Sequence, residues 1–492
     1  MEQKTQNQQK QNSSVIRNME EQYNTVNEEQ EYNSFNYILA IVLVANMGVL
    51  YFGYQLGVMS LAQNTIFIVF DVKHSQQNFY SSMIDSAIPF GAVFGALLSG
   101  KIQDFVSRKN SLILADIFGI ITGLLCLFKN INLLVIARLF AGFVTGLNTS
   151  LVPKYIQEIT PLSLVGVMGI FFTTSLNFGI VLANLNGQFF NEFPIPEDTY
   201  WYYVFFFPLL INITRMVLLQ LFFNHETPFY YIINNENEKC KNLLKKIYKP
   251  QYVDQNYQQV RQLAENTNNI QESYRDMFNR QNRWRLFIGC TLQFFQQFSG
   301  INAVTMYLSQ IYEKENYQFK TANLLTLLSS TAFFCAALVN TQIVQKYTRR
   351  IILIVGSAFT GLFILSLAIL SEIDDKNITY LTVICIDCYY VAFNFSLGPI
   401  IWLYCSEILP QKGFSIATTV NQICGTIIVM MLPYFDKLWI LFIFYSTVCF
   451  LCSIFTYFLV EETKNKSKLE IQKLYQPQES NEQKCIPLYQ PI

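Results

Sequence analysis

The sequence predicts an all-α membrane protein of twelve transmembrane helices, arranged as two pseudo-symmetric six-helix halves. Of its 492 residues 52% are hydrophobic and only 14% are charged, where a soluble chain carries roughly a quarter charged residues. The apolar residues come in blocks of about twenty, the length that crosses a hydrocarbon core. The halves also echo each other. Glu158 to Pro161 reads EITP at the end of the fourth block, Glu407 to Pro410 reads EILP at the end of the tenth, and basic loops recur at a similar offset.

The chain begins with a Gln-, Asn- and Glu-rich tail over residues 1–35 that has no apolar core. It reads as a disordered cytoplasmic tail and not as a cleavable signal peptide, so the first span must also serve as the targeting signal. The first half, 36–223, holds spans near 37–60, 80–100, 111–128, 131–153, 165–187 and 201–223. A polar linker, 224–283, carries charges of both signs and amphipathic pieces such as Lys241 to Tyr248 (KNLLKKIY); short helices on the membrane surface are expected there. The second half, 284–460, holds spans near 285–309, 322–344, 351–371, 379–404, 414–433 and 438–459, and 461–492 forms a C-terminal cytoplasmic tail.

Basic loops orient the bundle. Lys101, Arg108 and Lys109 follow the second span, and Lys346, Arg349 and Arg350 follow the eighth. Positive charge marks the inner side, which puts both termini in the cytoplasm. Opposite loops carry Glu192, Glu197, Asp198, Glu372, Asp374 and Asp375, although Lys73, Lys314 and Lys376 also fall there. The triplet Asn377-Ile-Thr379 would be an outside N-glycosylation acceptor. Net charge is zero, and no basic stripe suits a nucleic acid. Eleven scattered cysteines and two histidines show no metal spacing and no disulfide framework. No nucleophile–base set and no nucleotide-binding loop stands out, so an enzyme, a metal and a cofactor are not expected. A two-half repeat of this size is a transporter pattern.

Three carboxamides, Gln296, Gln297 and Asn302, lie inside the seventh span. An unpartnered amide in hydrocarbon costs several kcal/mol, so such groups face a bundle interior and mark a substrate path. They are uncharged, and each offers two donors and an acceptor, which suits a neutral ligand rich in hydroxyls. The alternative is that they only tie helices together. At about 100° per residue Asn302 would lie well round a continuous helix from both glutamines. A break at Ser299-Gly300 would let all three converge.

The most specific run is QQFSGINAV (Gln296 to Val304). Beside it stand PKYIQEITP (Pro153 to Pro161), GPIIWLYCSEILP (Gly398 to Pro410), VEETKNKSKLEI (Val460 to Ile471), FGYQLG (Phe52 to Gly57) and GKIQDFVSRK (Gly100 to Lys109). With these motifs the chain resembles a sugar porter of the major facilitator superfamily, and is most similar to the facilitative glucose transporter branch, over roughly Asn36 to Ile471. The resemblance implies that Gln296, Gln297 and Asn302 hydrogen-bond a monosaccharide and that Trp402 packs on its apolar face, with Gly398-Pro399 weakening the tenth helix beside it. Asn421 aligns with an eleventh-helix site asparagine, while Gln422 replaces its tryptophan neighbour. Asn177 stands for a site glutamine, Asn394 for a glutamate, and Gln293 is one turn before Gln297. Phe333 falls where the family has an eighth-helix asparagine.

Gln55 occupies the first-helix position where proton-coupled members hold an aspartate. An amide cannot titrate, so facilitated diffusion is expected. A proton–sugar or proton–polyol symporter is the alternative, with Asp85 and Asp387 as carboxylates in or near spans, wetted by an outer vestibule or paired. A non-transporting sensor is a third reading, set against by the short final tail. The resemblance also implies an inner gate of Asp104, Arg108, Glu158, Glu226, Arg349, Arg350 and Glu407, whose charges pair across the halves when the carrier faces outward. Three family arginines are missing: Val165 and Phe229 stand at two of the positions, and the loop after Pro410 lacks the third. Those losses are expected to weaken the outward-facing state. The expected setting is the plasma membrane, with a monomer sufficient for function.

Overall fold

A computed structural model describes residues 32–191, 194–268, 274–279, 282–314, 317–372, 379–435, 437–464, 466, 470–471 and 474–475. The Asn377 triplet, most of both tails and the Asp104 side chain lie outside the described residues.

The first half is built from α1 (Phe35–Val69), α2 (Gln77–Phe105), α3 (Arg108–Leu125), α4 (Ile131–Ile159), α5 (Leu162–Gly187) and α6 (Tyr200–Leu221). Short helices α7 (Pro228–Ile233), α8 (Asn237–Ile247) and α9 (Pro250–Asn268) follow. The second half has a seventh span in three pieces, α10 (Arg283–Phe298), α11 (Ile301–Met306) and α12 (Leu308–Lys314), then α13 (Phe319–Lys346) and α14 (Arg349–Leu370). Its tenth span is split into α15 (Thr379–Phe395) and α16 (Pro399–Ile408), before α17 (Gln411–Met431) and α18 (Leu438–Leu459). Among the described residues, 10 helices are long and apolar enough to cross a membrane. The third span falls short because Arg108, Lys109 and Asp116 all lie in its 18 residues, and the seventh because it is broken. Counting both gives the twelve crossings.

Helix starts follow local chemistry. Ser34, Ser107 and Asn130 cap α1, α3 and α4 by accepting backbone N–H bonds from Tyr37, Asn110, and Asn132 with Leu133. Pro161 and Pro410 precede α5 and α17, and Pro399 opens α16, where the missing N–H costs nothing. The seventh span breaks where expected. Gly300 adopts φ +89°, a left-handed conformation that only glycine adopts freely, and a Cβ there would strike the Tyr445 ring.

Packing in hydrocarbon rests on close contact and not on expelled water. Gly91 and Gly95 of α2 face Gly142 and Gly146 of α4, and a Cβ on any of the four would collide with a backbone carbonyl of the opposite helix. The halves meet along equivalent seams, α2 on α17 and α5 on α13, with α11 against α1. Helices α7, α8 and α9 pack on one another, and Cys240, Leu243, Leu244 and Ile247 turn the apolar face of α8 into the first half's core.

Candidate substrate site

Five carboxamides meet beside the helix break. Gln297 Nε2 donates to Asn421 Oδ1 at 2.8 Å, and Asn302 Nδ2 donates to Gln297 Oε1 at 2.8 Å. Asn421 Nδ2 donates to Gln293 Oε1 and to Gln296 Oε1, both at 2.7 Å. Gln296 Nε2 turns to the Leu397 and Gly398 carbonyls at 3.0 and 3.1 Å; the α15–α16 break frees carbonyls near there. Gln293, Gln296, Gln297 and Asn421 are buried, and Asn302 is partly exposed. Gly425 of α17 leaves room: a Cβ there would sit 3.2 Å from Gln297 Oε1 and 3.3 Å from Asn302 Nδ2. The amides satisfy one another, except for Gln293 Nε2, which has no partner. A hydroxyl-bearing ligand can therefore trade amide–amide for amide–hydroxyl bonds at little net change.

Two predicted amides form a separate pair. Asn177 Nδ2 of α5 donates to Asn394 Oδ1 of α15 at 3.0 Å, joining the halves, and Asn394 Nδ2 donates to the Phe333 carbonyl at 2.6 Å. Phe333 thus contributes its backbone to this pair, while its ring lies against Tyr390 at 4.5 Å. Trp402 lies one turn beyond Gly398, about 6 Å along the helix, and packs on Phe172 of the first half and on Phe414. It lines a small cavity of about 40 Å³ toward the basic-loop end, which Val165 also lines. A cavity of about 240 Å³ opens at the opposite end, between Gln63, Asn64, Ser81, Tyr307, Gln310 and Tyr445.

Gln55 is buried and accepts Arg138 Nη1 at 2.7 Å. Asp85 is buried and paired, not wetted: its Oδ2 accepts the Tyr307 hydroxyl at 2.8 Å. Asp387 is half-buried, with Oδ1 unpartnered.

At the basic end, gate residues expected to pair across the halves in the outward-facing state have partners in their own half. The ion pairs close within each half: Arg108–Glu158 at 3.4 Å and Arg349–Glu407 at 3.3 Å. Neither of these two pairs crosses between the halves. Each half has instead satisfied its own charges, and the two do so alike. Glu226 accepts from Ser107 Oγ and Lys109 N at the start of α3, and Glu462 accepts from Arg349 N and Arg350 N at the start of α14. Carboxylates at helix N-termini complement the dipole. Thr227 donates to Glu158, and Thr463 to Glu407, both at 2.5 Å. Arg350 turns its guanidinium to the Tyr457 carbonyl at 2.5 Å. Phe229, at a position where an arginine was expected, lies under the Arg108 guanidinium at 5.8 Å. Burial would raise the Glu462 pKa, but the N–H groups of Arg350, Lys464 and Arg349 and the Arg349 charge bring it below its ordinary value. Burial, helped by Lys246, pushes His225 down to about 4.

Sequence reasoning missed two buried arginines. Arg215 donates Nε to Asp116 Oδ1 and Nη1 to Asn148 Oδ1, both at 2.8 Å, clamping α6 to α3 and α4. Arg138 has no such partner set. The available signal was an ionisable residue within an apolar block, which is nearly always paired or functional.

A family model described as "Sugar (and other) transporter" matches residues 41–475. Hexose transporter 1 of Plasmodium vivax (strain Brazil I) is 30% identical over 457 residues, covering 87% of this chain and 91% of that protein. Hexose transporter 1 of Plasmodium falciparum (isolate 3D7) is 28% identical over 463 residues, covering 88% and 90%. Among solved structures, the proton:xylose symporter XylE bound to 6-bromo-6-deoxy-D-glucose superposes with a TM-score of 0.78 at 23% identity, covering 89% of this chain and 99% of that one. That likeness establishes the major facilitator fold.

Proposed function

The chain belongs to the family of sugar (and other) transporters, and from that premise we propose that it moves a hexose such as glucose down its gradient by alternating access. It is an integral membrane protein and a transporter, not an enzyme. The hexose transporters among its relatives support the substrate class. The observation that carries the reading is the five-amide network at the break of the seventh span. In this proposal Gln293, Gln296, Gln297, Asn302 and Asn421 bind the sugar hydroxyls, Trp402 covers an apolar face, and Asn177 and Asn394 hold the halves together beside it. The basic end faces the cytoplasm, with both termini, and the membrane is the plasma membrane. Arg108, Glu158, Glu226, Arg349, Arg350 and Glu407 set the gate there.

Gln55 supports uniport, because the first helix offers no titratable group at the coupling position. Proton symport remains the competing reading, favoured by the buried carboxylate of Asp85. The test is expression in a cell lacking hexose uptake, with a panel of labelled sugars and simultaneous proton recording. We expect hexose uptake without proton uptake. The pair Gln297→Leu and Asn302→Leu should cut flux about tenfold or more, since the remaining amides lose their partners. Undiminished flux in that double variant would overturn the assigned site, and proton entry rising with sugar would overturn uniport.

A further inference from the structure

The cavity of about 240 Å³ at the end away from the basic loops is lined by none of the five amides. A floor of hydrogen bonds closes between the two. Gln310 Nε2 of α12 donates to Gln63 Oε1 of α1 at 2.7 Å, Gln63 Nε2 donates to Ser81, and Ser309 N donates to Ser60 Oγ at 3.3 Å. The Tyr307 hydroxyl donates to Asp85 Oδ2 at 2.8 Å. Helix α11 is the partition. Asn302 bonds the amide network, while Ala303 and Val304, the next residues along, line the cavity. Steps of about 100° per residue put neighbouring positions on different sides of one short helix.

Above that floor several polar groups stand unpaired. Tyr445 of α18 is 3% exposed and lines the cavity, and its hydroxyl makes no hydrogen bond within the described residues. A buried hydroxyl left without a partner costs about 1–3 kcal/mol, and the cavity is where its partner can sit. Asn64 of α1 and Gln77 and Asn78 at the start of α2 line the same space, and their amides are likewise unpaired within the described residues. Phe67 and Phe442, both buried, add apolar wall. No charged side chain lines the cavity among the described residues. Rings beside unpaired amides and a hydroxyl suit a ligand with hydroxyls on its edge and C–H groups on its face, and they give an ion no counter-charge. The volume is below the roughly 300 Å³ at which drug-sized pockets begin, which fits a monosaccharide and not a longer saccharide.

We propose that this cavity is a second binding site for a neutral monosaccharide, distinct from the five-amide site, in which the Tyr445 hydroxyl and the Asn64, Gln77 and Asn78 amides bond the sugar. The Tyr445 ring also lies on the helix break: a Cβ on Gly300 would sit 2.4 Å from its Cδ2. A sugar held by Tyr445 therefore touches the side chain packed on the hinge of the seventh span. It also offers hydroxyls to Gln63 and Gln310, whose bond to each other ties the halves. Exchanging that bond for amide–hydroxyl bonds costs little. The site thus holds sugar from outside against a closed floor and loosens the floor beneath it. This rests on the reading above of a hexose carrier whose basic end faces the cytoplasm.

Leu438 is half-buried and lines the same cavity. The test places Leu438→Cys in the full chain and follows labelling by a membrane-impermeant thiol reagent added outside, with and without D-glucose, against the unsubstituted protein. D-glucose at about ten times its half-protecting concentration should slow labelling about tenfold. That protection should survive Gln297→Leu with Asn302→Leu, which removes the five-amide site. Tyr445→Phe keeps the ring on Gly300 and should raise the half-protecting concentration about threefold to tenfold, the loss of one neutral hydrogen bond. Should Tyr445→Phe fail to reach the membrane, Asn78→Leu on the exposed rim carries that arm with the same expected shift. Labelling indifferent to D-glucose, or protection that vanishes in the double variant, would overturn the second site, and the latter leaves the five-amide site standing. A half-protecting concentration unchanged by either Tyr445→Phe or Asn78→Leu would overturn the assigned groups. Persistent protection in a protein that takes up no hexose would overturn the carrier reading and not this site.

Discussion

Polar side chains inside this bundle are arranged by what each can share. Amides donate and accept, so five of them close a network with few loose ends. Arginines only donate, and Arg215 and Arg138, both fully buried in the first half, show two outcomes: Arg138 gives one bond, to Gln55, and keeps Nε and Nη2 without a hydrogen-bond partner. Arg215 meets Asp116, with both side chains 0% exposed, and it also meets Asn148 and the Ala45 and Leu112 carbonyls. Removing one partner of such a pair strands the other charge. Asp116→Asn should therefore destabilise the first half by about 3–5 kcal/mol, read as a lower thermal midpoint in detergent. Adding Arg215→Met should recover most of the loss, since replacing a whole buried pair by apolar groups is near neutral. Unequal midpoints in the reverse order would remove the clamp from this account.

Helices here are defined as much by where they stop or approach as by where they are apolar. The break at Gly300 lets Asn302 face back toward Gln297, and the break before Pro399 leaves the Gly398 carbonyl for Gln296. Both span-splitting sites thus serve the same network. The α2–α4 seam works by close approach: Gly91, Gly95, Gly142 and Gly146 leave no room for a Cβ. Gly95→Leu should push the helices apart and cost about 1–3 kcal/mol or more, seen as lost monodisperse protein on size exclusion. Gly166→Ala, where nothing lies within 4 Å of a Cβ, is the matched control and should behave as the parent.

The whole molecule is two copies of one plan. An arginine–glutamate pair, a threonine on the glutamate and a second glutamate at a helix N-terminus recur in both halves. His225-Glu226-Thr227 and Glu461-Glu462-Thr463 are the matching segments. These charges are satisfied within each half, whereas Asp85–Tyr307 and Gln63–Gln310 join the halves at the other end. Val165 sits on the small cavity beside Trp402 at the junction of the halves. Val165→Arg should add a charge that reaches across that junction and slow opening at the basic end. Reactivity of a thiol probe applied from that side measures it, and an unaltered rate would count against the idea.

Some of this was legible before any coordinates. Twelve crossings follow from block length, because a bilayer has one thickness. Ser299-Gly300 follows from spacing, because three amides cannot share one face of an unbroken helix. The pairing of those amides was not legible, nor was the separation of Asn177 and Asn394 from the other five, nor the closing of Arg108 and Arg349 onto carboxylates of their own half. Partners such as Gln297 and Asn421 are separated by 124 residues, and Asp85 and Tyr307 by 222. Helical periodicity says which side of a helix is polar, but it carries no information on which neighbour that side meets. That choice belongs to the packing of one helix against another, and it emerges when the bundle closes.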